Sequence, residues 1–109
     1  MSGGGGGGSF QPADDGVACG RLTFEAALAS PQPTAVAGLN VGEILAVQLQ
    51  QPPGSGPFIA AVDDSGQIVG SLIDRVAELL RCIQSGYTYT AEVLRISGGS
   101  VRVRVSPSP

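Results

Sequence analysis

The stretch TYTAEVLRISGGSVRVRV, residues 88–105, decides the fold. Apolar and polar residues alternate on both sides of Gly98-Gly99, and this period of two is typical of half-buried β-strands. Two glycines between such runs predict a two-residue hairpin turn. We therefore expect antiparallel strands at 88–96 and 101–105, with Arg95 opposite Arg102. The core side of this hairpin is then formed by Leu94, Ile96, Val101, Val103 and Val105.

The other side of the predicted hairpin carries arginines. Like charges that face each other across a hairpin repel by up to about 1 kcal/mol, and guanidinium groups beside a tyrosine suit phosphates and stacked bases. We therefore predict a single-stranded nucleic-acid site there. The alternative is a solvated strand face that Glu25 or Glu92 neutralises. The predicted site residues are Tyr89, Arg95, Arg102 and Arg104, with Ala91 and Val93 on the same side and Val93 opposite Arg104.

Upstream of the hairpin, residues 71–85 have the period of an amphipathic helix. Ser71 followed by Asp74 matches a capping box, and Gly86 suits the left-handed position that ends a helix. We expect the helix to begin at Ser71 and to carry Cys82 on its polar side. Its predicted apolar side consists of Leu72, Ile73, Val76, Leu79, Leu80 and Ile83.

Four further strands are predicted, at 20–29, 43–50, 58–62 and 67–70, because each shows alternation or a short apolar run. Asp63-Asp64-Ser65-Gly66 has the chemistry of a hairpin turn, so we interpret its carboxylates as turn residues rather than as a metal or acid–base pair. Prolines at 31 and 33 break regular structure, and we expect a loop from there to residue 42 and another at 52–57. The prediction is a mainly β chain, an OB-like β-barrel of about six antiparallel strands with one α-helix.

The ends of the chain are predicted to lie outside the barrel. The glycines at 3–8 have no side chains to bury and much backbone entropy to lose on folding. We expect residues 1–18 to be a disordered glycine-rich tail, residues 19–105 to be a single small domain, and the Ser-Pro repeat at 106–109 to be disordered.

Composition argues against catalysis. Among the 109 residues there is neither His nor Lys, so the commonest general base and the Schiff-base nucleophile are both missing. Cys19 and Cys82 alone are too few ligands for an ordinary zinc site. We predict no enzymatic activity, no cofactor and no metal.

Compartment and charge restrict the partners. No stretch has the pattern of a secretion signal or a membrane span, so we expect a cytoplasmic protein without a membrane partner, in which Cys19 and Cys82 are reduced thiols. The alternative is that the two cysteines form a disulfide or a reactive thiol pair. The formal net charge of −3 argues against non-specific nucleic-acid binding. The charge is uneven, since residues 1–74 hold seven acids and one arginine, whereas residues 75–109 hold two acids and five arginines.

Glycines and apolar residues recur in a characteristic order along residues 39–105. They are Val41-Gly42, Leu45, Val47 and Leu49, Ile59 to Val62, Gly66 to Gly70, Leu79-Leu80, Gly86 and Ala91-Glu92-Val93. This order of residues and predicted elements resembles the HIRAN domain, a small OB-like β-barrel, although this chain has the loop Pro52–Pro57 where the family usually has an Asn-Pro-x-Asp stretch. The resemblance implies a barrel fold and the binding of single-stranded DNA ends.

These observations predict a non-enzymatic binding module. Single-stranded nucleic acid is the ligand that best explains the arginines. The alternative function is a protein–protein adaptor or inhibitor, whose acidic half and proline-rich loops form the interface with a protein partner.

Overall fold

The computed structural model describes residues 18–108. Within them, six strands form one antiparallel sheet in the order β1-β6-β5-β2-β3-β4, which curls into a half-barrel. The mainly β prediction is therefore confirmed. The strands are β1 (Phe24–Ala27), β2 (Ile44–Gln50), β3 (Phe58–Val62), β4 (Ile68–Leu72), β5 (Tyr89–Ser97) and β6 (Ser100–Pro107), and the helices are α1 (Pro33–Ala37) and α2 (Val76–Gln84).

The segment that follows β1 crosses from one edge of the sheet to the other. The Leu28 amide donates to the Val101 carbonyl of β6 at 2.9 Å, and one residue later Ala29 exchanges two 2.8 Å backbone hydrogen bonds with Ser71 of β4. This crossing is close, because a Cβ atom on Gly70 would lie 2.9 Å from the Leu28 Cβ. These hydrogen bonds satisfy part of the backbone at the β4 edge, which would otherwise be exposed and could pair with a strand of another chain.

The inward faces of the strands form an aliphatic core, as the absence of tryptophan predicts. In β2 and β6 alternate residues point inward, so the residues between them reach solvent. Among the fully buried side chains are Leu45, Ile59, Val69, Leu72, Leu79, Val93, Val101, Val103 and Val105.

The β5–β6 hairpin turns at Gly98-Gly99 and pairs Arg95 with Arg102, as predicted. Beyond that pair the register differs from the prediction, because a β-bulge at Leu94 makes Val93 face Val103 instead of Arg104. A bulge adds one residue to one strand and so reverses the faces of all residues beyond it.

Helix α2 begins at Val76, later than predicted. Ser71 cannot act as the helix cap, since it lies in β4 with its backbone hydrogen-bonded to Ala29. Leu72 belongs to the strand and the core, and Ile73 is 62% exposed. The position before the helix is Arg75, in a left-handed conformation and without a side-chain cap.

Two regions predicted to lack structure contain it. Helix α1 occupies part of the expected loop, where Pro33 stands at its first turn; proline is favoured there because that amide has no partner within the helix. Strand β6 continues through Pro107, and the Ser108 amide donates to the Thr88 carbonyl, so the predicted disorder of 106–108 is wrong. The predictions for residues 1–17 and 109 lie outside the described residues.

Cys19 and Cys82 form a disulfide, and the expectation of two reduced thiols is wrong. Their Cα atoms are 5.5 Å apart, and both residues are 2% exposed. Cys82 therefore lies on the buried side of α2, not on its polar side. The bond fastens α2 to the helical turn at 18–21 that precedes β1.

Candidate functional site

The three predicted arginines lie on the outer face of the sheet. Arg95 and Arg102 are opposite each other next to the hairpin turn, and Arg104 pairs with Glu92 on one side and with Glu25 of β1 on the other. All three arginines are exposed. We call these five residues the charged ladder.

Two glutamates neutralise much of the charged ladder. Glu25 accepts an ion pair from Arg102 (Nε to Oε1, 3.4 Å) and a longer one from Arg104 (Nη2 to Oε2, 3.8 Å), and Glu92 pairs with Arg104 (Nη1 to Oε1, 3.4 Å). The paired side chains remain 43–47% exposed, so each pair stabilises the fold by less than about 1 kcal/mol. Within residues 18–108, no carboxylate lies at ion-pair distance from Arg95.

Tyr89 does not join the arginines. Because of the bulge at Leu94 it points inward, is 2% exposed, and donates its hydroxyl to the Cys19 carbonyl oxygen at 2.7 Å. Burial raises the pKa of this phenol, with a smaller contribution from Tyr87, so the hydroxyl stays protonated. Its predicted place on the arginine side is wrong, and its ring cannot stack on a base there.

The other half of the outer face carries no charge, and we call it the uncharged face. Register places its members side by side: Ala46 lies between Val62 and Thr90, and Ala60 between Gln48 and Ser71. Ile44, the first residue of β2, is 55% exposed and lies opposite Glu92 where this surface borders the charged ladder. Its outward residues are Ile44, Ala46, Gln48, Gln50, Phe58, Ala60, Val62, Ile68, Ser71 and Thr90, of which Ala60 and Val62 are buried (0% and 5% exposed).

Two of the depressions that residues 18–108 line open on the uncharged face. The larger, a groove of about 700 Å³, lies between β3–β4 and the segment leading into α1, with Phe58, Ile68 and Ser71 in its lining. The smaller, a dimple of about 260 Å³, is lined by Ile44, Leu45, Ala46, Val62, Asp63, Asp64 and Thr90. In the sequence, the five consecutive apolar residues of β3 indicate that both faces of this strand are apolar, because a strand with one solvated face alternates instead.

Other classes of site find little support in the part of the chain that the structure describes. Residues 18–108 contain no group of three or more His, Cys, Asp or Glu side chains placed to hold a metal ion. Their helices include none that is long and apolar enough to cross a bilayer.

Comparison with known proteins identifies no matching family model, no curated protein and no solved structure. The resemblance to the HIRAN domain therefore stays a prediction.

Proposed function

We propose that this domain is a non-enzymatic binding module that recognises a protein partner through the uncharged face. The observation that carries the proposal is that the outward side chains of β2, β3 and β4 lack charge and that both depressions open among them. The solvent side of an antiparallel sheet is ordinarily polar. Exposed apolar surface with a polar rim marks interaction sites in soluble domains.

Single-stranded nucleic acid is the second candidate ligand. The observation in its favour is that Arg95 opposes Arg102 and lacks an ion pair within residues 18–108. Against it, Arg102 and Arg104 would have to leave Glu25 and Glu92 to contact phosphates. The protein partner is therefore the function that the geometry supports better.

We also propose that the domain works in an oxidising compartment. The expected cytoplasmic location assumed reduced thiols, whereas disulfides form and persist mainly outside the cytosol. The test is peptide mapping of protein that has been alkylated in its native source before isolation. Linked peptides containing Cys19 and Cys82 support the proposal, and two alkylated cysteines overturn it.

The proposed function is tested by placing a photo-crosslinking residue, p-benzoylphenylalanine, at single outward positions. Gln48 reports on the uncharged face, and Arg102 is a matched outward position on the charged ladder. Both side chains are exposed, so neither replacement disturbs the core. Irradiation in native extract is expected to yield protein adducts from position 48 and none from position 102.

The adducts distinguish the two candidate ligands. Adducts sensitive to nuclease, formed at position 102, would overturn the protein proposal and support the nucleic-acid candidate. The absence of any protein adduct at position 48 would also overturn it.

A further inference from the structure

The dimple on the uncharged face has an apolar floor. It exists because Ala46 contributes only a methyl group between Val62 on β3 and Thr90 on β5. Ile44, two residues earlier on the same face, forms a further wall and is more than half exposed. A volume of about 260 Å³ accommodates a single large side chain rather than a whole small molecule, for which pockets begin at about 300 Å³.

One side of the dimple is anionic. Asp63 and Asp64 follow β3 directly, and the lining contains no cation. The Asp63 carboxylate is held in place by hydrogen bonds from the Ser65 hydroxyl (2.7 Å), the Gln67 amide (2.9 Å) and the Ser65 amide (3.0 Å). Asp64 is exposed, and no donor within residues 18–108 is bonded to its carboxylate. Its charge is therefore available to a partner.

We propose that the dimple binds the apolar side chain of a protein segment that carries arginine or lysine beside that residue. This inference rests on the proposed function and adds the chemistry of the partner. The apolar side chain gains from leaving water, and the neighbouring cation lies beside the two rim carboxylates. Phosphate groups and acidic segments are repelled by the same rim.

The probe for this inference is a capped nine-residue peptide with one central leucine between two arginines. Two matched peptides replace either the arginines with glutamates or the leucine with alanine. Amide shifts of the ¹⁵N-labelled domain report the binding site and the Kd. We expect the arginine–leucine peptide to shift the amides of 44–46, 62–64 and 90, and each matched peptide to bind about tenfold more weakly, equivalent to 1.4 kcal/mol.

Variants of the domain locate the binding. Ala46→Leu fills the dimple and is expected to raise the Kd for the arginine–leucine peptide about tenfold. Gln84→Leu is the control, because it adds the same side chain at an exposed position of α2 outside the uncharged face and should leave the Kd unchanged. Asp64→Asn should weaken binding about threefold at low salt and less at high salt, as expected for one exposed charge.

The outcomes separate this inference from the function on which it rests. If the arginine–leucine peptide causes no shift at millimolar concentration, or if Ala46→Leu binds it as tightly as the wild type, the inference is wrong. Protein adducts at position 48 would then still support the proposed function. Equal binding of the glutamate peptide would overturn the charge requirement and therefore the inference.

Discussion

Asp63 shows how one side chain fixes a turn and makes it sensitive to pH. The hydrogen bond from the Ser65 hydroxyl, followed by those from the turn amides, lowers the pKa of Asp63 from its ordinary 3.8. The folded state therefore binds this proton less tightly than the unfolded state. The resulting stabilisation is complete above the unfolded pKa and is lost as the pH falls through the lower folded value.

We expect Asp63→Asn to lower the Tm at pH 7, because the amide that replaces the carboxylate accepts these hydrogen bonds more weakly. The Tm values of the variant and the wild type should converge as the pH falls from 3.8 through the lower pKa of the folded state, where the carboxylate of the folded protein becomes protonated. Thermal unfolding followed by circular dichroism measures both effects. Asp64→Asn is the control and should keep the wild-type Tm; an unchanged Tm for Asp63→Asn at pH 7 would contradict the prediction.

Gly70 marks the point where the crossing segment touches β4. A Cβ atom there would meet the Leu28 Cβ at 2.9 Å and the Ala29 carbonyl oxygen at 3.0 Å, and neither neighbour is the end of a flexible side chain. We expect Gly70→Ala to destabilise the domain by about 1–3 kcal/mol through overpacking. Gly56→Ala, where a Cβ meets nothing within 4 Å, is the matched control in urea denaturation. Equal midpoints for the two variants would refute the close crossing.

Among the elements, α2 depends most on a covalent bond. It has nine residues, too few for a stable isolated helix, and only Leu79 and Cys82 are fully buried. The disulfide connects it to residue 19 across a sequence separation of 63, and the loop-entropy relation assigns about 4 kcal/mol to closing such a loop.

We expect the double variant Cys19→Ala/Cys82→Ala to lose about 4 kcal/mol of unfolding free energy. Urea denaturation measures it, and the wild type unfolded with a reducing agent should behave like the variant. As a control, the variant without reductant should show no further change when reductant is added. A wild-type midpoint for the double variant would mean that the packing of Leu79 suffices to hold the helix.

For the molecule as a whole, local sequence patterns predicted where the strands lie but not their register or their long-range contacts. Alternation located β2, and the glycine pair located the β5–β6 turn, because both are properties of adjacent residues. At Val93-Leu94 the apolar residues before and after this point alternate in opposite phase. The sequence alone therefore does not decide which of the two side chains faces the core, and only the packing of the folded strands selects the bulge. The disulfide and the role of Ser71 in β4 depend on residues far apart in the chain, which local patterns do not bring together.

For the candidate site, too, local patterns predicted some features, whereas features that depend on distant residues were not predicted. The outward position of Arg102 and Arg104 is set by alternation along one strand, and it was predictable. The inward position of Tyr89 depends on the bulge and was not. The uncharged face is assembled from β2, β3, β4 and β5, so it exists only after the register is known.

The division of the outer face into charged and uncharged halves leads to a prediction about nucleic acid. Each phosphate contact adds about 0.7 to the slope of log affinity against log salt for a single strand. Because Glu25 and Glu92 already pair with Arg102 and Arg104, we expect the wild type to show no salt-dependent oligonucleotide binding, even at low salt. Fluorescence anisotropy with a labelled oligonucleotide at several salt concentrations measures this slope.

Two variants make the result decisive. Arg102→Gln/Arg104→Gln should match the wild type in anisotropy and change the stability by less than about 1 kcal/mol, since its lost ion pairs are exposed. Glu25→Gln frees Arg102, leaves Arg104 paired with Glu92, and is the control for whether added positive charge alone can create binding. If the wild type binds and the double variant lowers the salt slope by about 1.4, two phosphate contacts are lost. The charged ladder would then be the functional surface, because only arginines that exchange their glutamates for phosphates produce that slope.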